Sequence, residues 1–192
     1  MISKKQIIDK VILGIDPGTQ ILGFGVIHIL NNRVHYKNMG VLNLKSYKDH
    51  FVTLKVIMSE ITKLIELYTP DELAIEAPFY GKNPQVMLKL GRAQGAAIAA
   101  ALQKDIPIFE YAPRSIKLSI TGKGAASKEQ VSTMVQKLLN INSEQKYLDA
   151  TDALAIALCH YYHVISPLPT GSKSSSWEQY IKNNPKKIKK EG

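Results

Sequence analysis

The chain has 192 residues, 45% hydrophobic and 21% charged, with a formal net charge of +9. This composition describes one globular domain with extensions, long enough to bury a sizeable core, and its basic balance points to a polyanionic partner. A single cysteine, Cys159, excludes an intramolecular disulfide framework, and no run approaches the ~20 apolar residues of a membrane span. Charges at Lys4, Lys5, Asp9 and Lys10 break any signal-peptide pattern, so a cytoplasmic protein is expected.

Residues 1–10 read as a polar lead-in. Val11 to Ile15 is a short buried strand, apolar and partly β-branched, that closes on Asp16 before Pro17-Gly18 turns the chain. Asp16 is thus either a turn-former or a ligand. Ile21 to Leu30 and Arg33 to Leu44 follow as strands joined at Asn31-Asn32, so the first three strands form an antiparallel meander. Apolar residues at three-and-four spacing predict a helix from Asp49 to Tyr68, stopped before Pro70. Glu72 to Glu76 is a fourth strand, again ending on a carboxylate.

Pro84 opens a helix that runs to about Lys104 and is rich in glycine and alanine. Ile106 to Tyr111 is the fifth strand. Residues 112–126 hold a turn of helix and then the loop Thr121-Gly122-Lys123-Gly124. Ser127 and Gln130 have the spacing of a capping box and start a helix to about Asn140. The last helix spans Asp149 to about Val164. From Ser166 the composition shifts to proline, glycine and serine and then to Lys186-Lys187-Ile188-Lys189-Lys190, which reads as a mobile basic tail over 166–192. The expected architecture is α/β, a five-stranded mixed sheet with helices on both faces.

Four acids stand out by placement. Asp16 and Glu76 end strands, and Asp149 and Asp152 lie three apart, hence on one face, at the start of an otherwise apolar helix. Each alone is explained as a strand end or a helix cap. Together they call for oxygen-ligated cations, and with no histidine–cysteine cluster the choice is Mg²⁺ or Mn²⁺ rather than Zn²⁺. Two such ions about 4 Å apart would clamp a phosphodiester for in-line attack by an activated water. Nine cations against three acids lie between Gly81 and Lys137, and Lys117, Lys123 and Lys128 flank the glycine loop. Such a loop can follow a phosphate backbone, while a solvated lysine face explains Lys89 and Lys104. The tail carries six lysines against two glutamates, suited to DNA attraction or simple solubility. Phe79 and Tyr80 follow Glu76 in a loop, where an aromatic can stack on an unpaired base or pack on the core. A role for His160 behind the acids is open but not favoured.

The ordered set Gly14-Ile15-Asp16-Pro17-Gly18-Thr19, Ile75-Glu76 with Phe79, Leu88-Lys89-Leu90-Gly91-Arg92-Ala93-Gln94-Gly95, Tyr111-Ala112-Pro113-Arg114-Ser115-Ile116-Lys117 and Asp149-Ala150-Thr151-Asp152-Ala153-Leu154-Ala155 closely resembles the RuvC family of Holliday-junction resolvases. The likeness covers about residues 11 to 165, taken as the nuclease domain. It implies a ribonuclease H-like fold and a structure-selective, Mg²⁺-dependent endodeoxyribonuclease. This would resolve four-way junctions by paired symmetric nicks in recombination and repair, as a homodimer, with a branch-migration motor of the RuvA and RuvB type as partner. By position it implies that Asp16, Glu76, Asp149 and Asp152 bind metal and catalyse. Lys117 and Lys128 would contact DNA near the cut, Phe79 would sit at the crossover, and helix 84–104 would form the dimer. Lys82, Arg114 and Lys123 join the expected DNA-binding set by charge and place.

Two other readings compete. The Gly-Ile-Asp-x-Gly-Thr motif also opens actin-like ATPases and sugar kinases, which need a second domain and a second phosphate loop. A non-catalytic DNA-binding module of the same fold would be expected to lack one of the four acids, and all four are present.

Overall fold

The computed structural model describes residues 9–78, 83–141 and 148–165. Five strands, β1 (Asp9–Asp16), β2 (Ile21–Leu30), β3 (Arg33–Asn43), β4 (Glu72–Glu76) and β5 (Ile108–Tyr111), form one sheet in the order β3-β2-β1-β4-β5. The β3-β2-β1 side is antiparallel and the β1-β4-β5 side is parallel. The hairpin between β2 and β3 turns on Asn31 (φ 53°) and Asn32 (φ 62°), as expected, since a two-residue turn that matches strand twist needs two positive φ angles. β1 starts at Asp9, two residues inside the expected lead-in.

Among the described residues five helices cover the sheet: α1 (His50–Tyr68), α2 (Pro84–Leu102), α3 (Pro113–Thr121), α4 (Lys128–Leu139) and α5 (Leu148–His160). α1 starts where Asp49 accepts a hydrogen bond from the Val52 N–H (2.9 Å). α4 starts on the expected capping box, Ser127 with Gln130. Three ends differ from expectation. α2 stops at Leu102, and the chain turns through Asp105 (φ 54°) with the Ile106 N–H bonded to the Ala101 carbonyl (3.1 Å). Ile106 is therefore spent on closing the helix, and Pro107 has no N–H to give a ladder, so β5 begins only at Ile108. α3 is a full helix of nine residues, and α5 ends at His160 in a π-helical turn over Tyr161–Ile165.

Strand alternation sorts the core into two layers. Leu13, Ile15, Leu22, Val26, Leu73 and Ile75 face α1 and α2, where Ile57, Ile61, Ile65, Ala97 and Ala100 meet them. Ile12, Ile27, Ile29 and Ala74 face α3, α4 and α5. α5 lies unusually close to the sheet. A Cβ on Gly14 would come 2.1 Å from the Ala153 carbonyl oxygen, and one on Gly23 would come 2.0 Å from that of Asp149. Only glycine admits such an approach, so Gly14 and Gly23 seat the helix backbone directly on β1 and β2. Among the described residues no helix is long and apolar enough to cross a membrane.

Candidate active site

The carboxyl ends of β1 and β4 set the site. These strands are parallel neighbours in the register Ile15 to Ile75, so the next residues, Asp16 and Glu76, emerge side by side on the α5 face. α5 arrives with its amino end over the same place, because the Asp149 carbonyl rests where Gly23 has no side chain and Gly23 is paired with Asp16. Asp149 and Asp152, three residues apart, turn one face toward Asp16. Single carboxylate oxygens from Asp16, Asp149 and Asp152 lie within 4.8 Å of one another. Glu76 stands outside that trio but lines the same cleft with Asp16 and Asp152. Its main chain is held from behind: the buried Gln94 of α2 donates through Nε2 to the Glu76 carbonyl (3.1 Å) and to Glu110 (3.0 Å).

The charges are strongly coupled. Burial, then Glu76, Asp152 and Asp149, push the Asp16 carboxyl up to about 8, against the pull of Lys128. Burial raises Glu76 as well, with Asp152 adding to it and Lys128 and Lys117 opposing. Asp152 is raised by burial even though Lys128 donates to it at 2.6 Å. Burial works against the Lys128 ammonium, but its hydrogen bond to Asp152 and the charges of Asp152, Asp16 and Asp149 outweigh that and push it up to about 12. Lys128 also approaches Asp149 at 3.7 Å. The ion pair favours both partners, and Asp152 stays raised because its burial, with Asp149 adding to it, outweighs the pull of Lys128.

A compact set of hard oxygen donors with excess negative charge, and no histidine or cysteine among them, fits one or more divalent cations of the magnesium–manganese–calcium type. Asp16, Glu76 and Asp152 form the floor of an open cleft of about 490 Å³ whose rim carries Arg114, Lys117 and Lys128. Arg114 is packed against the glycine loop, its Cγ 2.8 Å from where a Cβ of Gly124 would be. An acidic floor under a cationic rim can hold a phosphodiester and neutralise its charge.

The expected residues do not all converge. Asp16, Glu76, Asp149, Asp152, Arg114, Lys117 and Lys128 do. Lys123 does not: Gly122 (φ 73°) reverses the chain, and Lys123 lines a neighbouring groove with Thr121, Gln130, Thr133 and Lys137. Phe79 and Lys82, like the tail from Ser166, lie outside the described residues. Gln94 is given no role in the sequence reading, although it lies in one of the quoted motifs and is the amide set among the small residues of α2. The second groove is not foreseen there either.

Comparison with known proteins agrees with this geometry. The family model for crossover junction endodeoxyribonuclease RuvC matches residues 12–160. The protein of that name from Christiangramia forsetii is 53% identical over 181 residues, covering 94% of this chain and 94% of the relative. That from Cytophaga hutchinsonii is 52% identical over 182 residues, covering 95% and 90%. The structure of Thermus thermophilus RuvC in complex with a Holliday junction substrate superposes with a TM-score of 0.75 at 28% identity, covering 80% of this chain and 94% of that one. The fold is ribonuclease H-like, as the sequence led us to expect.

Proposed function

This chain belongs to the RuvC family of crossover junction endodeoxyribonucleases, and from that membership we propose that it is a Holliday junction resolvase, cutting four-way DNA junctions by paired nicks in recombination and repair. The observation that carries the proposal is the convergence of Asp16, Asp149 and Asp152, with Glu76 beside them, under a rim of lysine and arginine. We assign all four carboxylates to Mg²⁺, with Mn²⁺ as substitute and two ions per site. When bound, the cations neutralise the phosphodiester and lower the pKa of water. The chain's own residues do the positioning. Lys117, Lys128 and Arg114 pair with the backbone of the strand to be cut, and Lys123 extends the contact into the adjoining groove. Lys82 adds charge, and Phe79 sits at the crossover. Hydrolysis leaves a 5′-phosphate and a 3′-hydroxyl. Shape, read through phosphate contacts, selects the substrate more than base contacts do.

Two symmetric nicks need two sites, hence a homodimer. The outward face of α2 suits it: Leu88 is 57% and Leu102 59% exposed, and Gly91 and Gly95 between them have open space where a side chain would be. Small residues there let a second α2 approach closely. The reading further includes a nuclease domain over residues 11–165 and a basic tail over 166–192, suited to DNA attraction or to simple solubility. It also includes a branch-migration motor of the RuvA and RuvB type as partner, and a cytoplasmic setting. The test is nicking of a synthetic four-way junction with and without Mg²⁺, beside a linear duplex of the same sequence. Metal-dependent cutting of the junction alone is expected. Equal cutting of the duplex would remove the substrate assignment.

A further inference from the structure

The opposite end of the sheet holds a buried polar node that the nuclease reading leaves unused. His160, the last residue of α5, is fully buried, and Glu72, the first residue of β4, is 7% exposed. His160 Nε2 hydrogen-bonds Glu72 Oε2 at 2.7 Å, and Nδ1 meets the Tyr111 hydroxyl at 2.7 Å. Lys10 of β1 closes the set on the other carboxylate oxygen of Glu72. Phe109 covers the imidazole with ring centroids 4.3 Å apart. Burial would raise Glu72, but the hydrogen bonds from Lys10 and His160 hold it below the usual carboxylate range, while burial lowers His160. The consistent state is a neutral imidazole that donates to an ionised Glu72 and accepts from Tyr111.

The node joins β1, β4 and α5. Those same three elements carry the four acids: Asp16 on β1, Glu76 on β4, Asp149 and Asp152 on α5. Distances along the elements match as well. Glu72 to Glu76 is four residues of strand, about 13 Å, and His160 to Asp152 is eight residues of helix, about 12 Å. Strand and helix run in opposite directions, so Glu72–His160 and Glu76–Asp152 are two rungs of one ladder. Much of the rest of this layer is aliphatic, with Ile12, Ile27, Ile29 and Ala74 packed in one cluster with Leu154, Ala157 and Leu158, and apolar contact is non-directional where hydrogen bonds are directional. Buried polar contacts that are fully satisfied specify one register. The acids at the far end repel one another and would, if free, push α5 along or away from the sheet.

We propose that Glu72 and His160, steadied by Lys10 and Tyr111, are positioning residues that set the register of α5 on β1 and β4 and thereby the spacing of the four site carboxylates. The proposal deepens the resolvase reading and rests on it for its catalytic part, though not for its metal-binding part. A shift of about 1 Å in the acids is enough to cost up to about a hundredfold in rate, and groups behind metal ligands commonly change affinity tenfold or more.

The test is the double variant Glu72→Met with His160→Phe, which replaces the buried pair by apolar groups of similar size and leaves the Lys10 ammonium, whose side chain is 30% exposed, to solvent. Mn²⁺ binding to the DNA-free protein, followed by paramagnetic resonance or calorimetry, should weaken about tenfold with the melting temperature within a few degrees of wild type. In junction nicking, kcat should fall about tenfold or more while KM holds. His160→Gln, which keeps a donor toward Glu72, should recover most of both. A folded double variant with wild-type Mn²⁺ affinity and kcat overturns the proposal. Should the double variant not fold, Tyr111→Phe decides: weaker Mn²⁺ binding at an unchanged melting point supports it, and unchanged binding overturns it. If the wild-type chain fails to nick junctions, the resolvase reading falls, and the Mn²⁺ titration still decides the positioning role of Glu72 and His160.

Discussion

Replacing Asp16 by Asn separates the electrostatic cost of the site from its function. The change keeps the shape and removes one of four crowded carboxyls. Burial and the neighbouring acids push Asp16 up to about 8 from an ordinary value of 3.8. At pH 7 the folded protein therefore holds a proton there that the unfolded chain has released. Taking up that proton costs about 1.4 kcal/mol per pH unit above the unfolded value. The upper bound at pH 7 is about 4 kcal/mol, and about 2–4 kcal/mol is expected because the four acids share the strain. The sign is definite. A raised carboxyl leaves stability intact below about 3.8 and removes it as pH climbs toward 8. Asp16→Asn should thus melt with wild type near pH 4 and about 5–15 °C above it at pH 7 in chelator, read by scanning calorimetry across that range. Added Mg²⁺ or Mn²⁺ should raise the wild-type melting point by mass action and move the variant far less. Junction binding should survive while nicking disappears. Equal melting at pH 7, a gap of the same size at pH 4, or wild-type nicking by the variant would each refute the reasoning.

Three further outcomes follow from the geometry. Gly23→Ala pushes a methyl into the Asp149 carbonyl; it should cost about 1–3 kcal/mol of stability and reduce nicking by about a hundredfold, measured by melting and by single-turnover cleavage. Gly95→Glu places charge on the open face of α2 and should yield monomers by light scattering, which nick one strand of a junction without the paired second cut. Lys117→Met removes one phosphate contact and should lower the salt slope of junction binding by about one, read by titration at several ionic strengths.

Much of the site was legible in sequence because it depends on local chemistry. A strand that closes on an acid before Pro17-Gly18, a second that closes on Glu76, and two aspartates three apart at the head of an apolar helix are all short-range patterns. The Asn31-Asn32 hairpin and the Ser127–Gln130 box are likewise local, and both stand in the structure. What could not be read was set by the third dimension. Lys123 looked equivalent to Lys117 and Lys128 until the left-handed Gly122 turned it into another groove. Glu76 looked equivalent to the three aspartates, but its strand sets it outside their 4.8 Å cluster. For His160 a role behind the acids is open but not favoured in sequence, since nothing nearby announces Glu72, 88 positions away, as its partner. Periodicity reports which face is buried; it does not report which polar atom waits inside.

The seating of α5 on Gly14 and Gly23 has an evolutionary consequence. In most layered domains the gap between helix and sheet is filled by side chains, so exchange of a valine for a leucine widens it and every residue carried by the helix shifts. Here, at Gly14 and Gly23, helix main chain rests on sheet main chain, and the sheet offers no side chain at those points whose size can drift. Lineages can turn over the surrounding aliphatic core while the metal ligands stay in place. The tolerance depends on Gly14 and Gly23, with Gly25 likewise against the Leu154 main chain, and a saturation-mutagenesis survey should find all three as intolerant as the acids themselves.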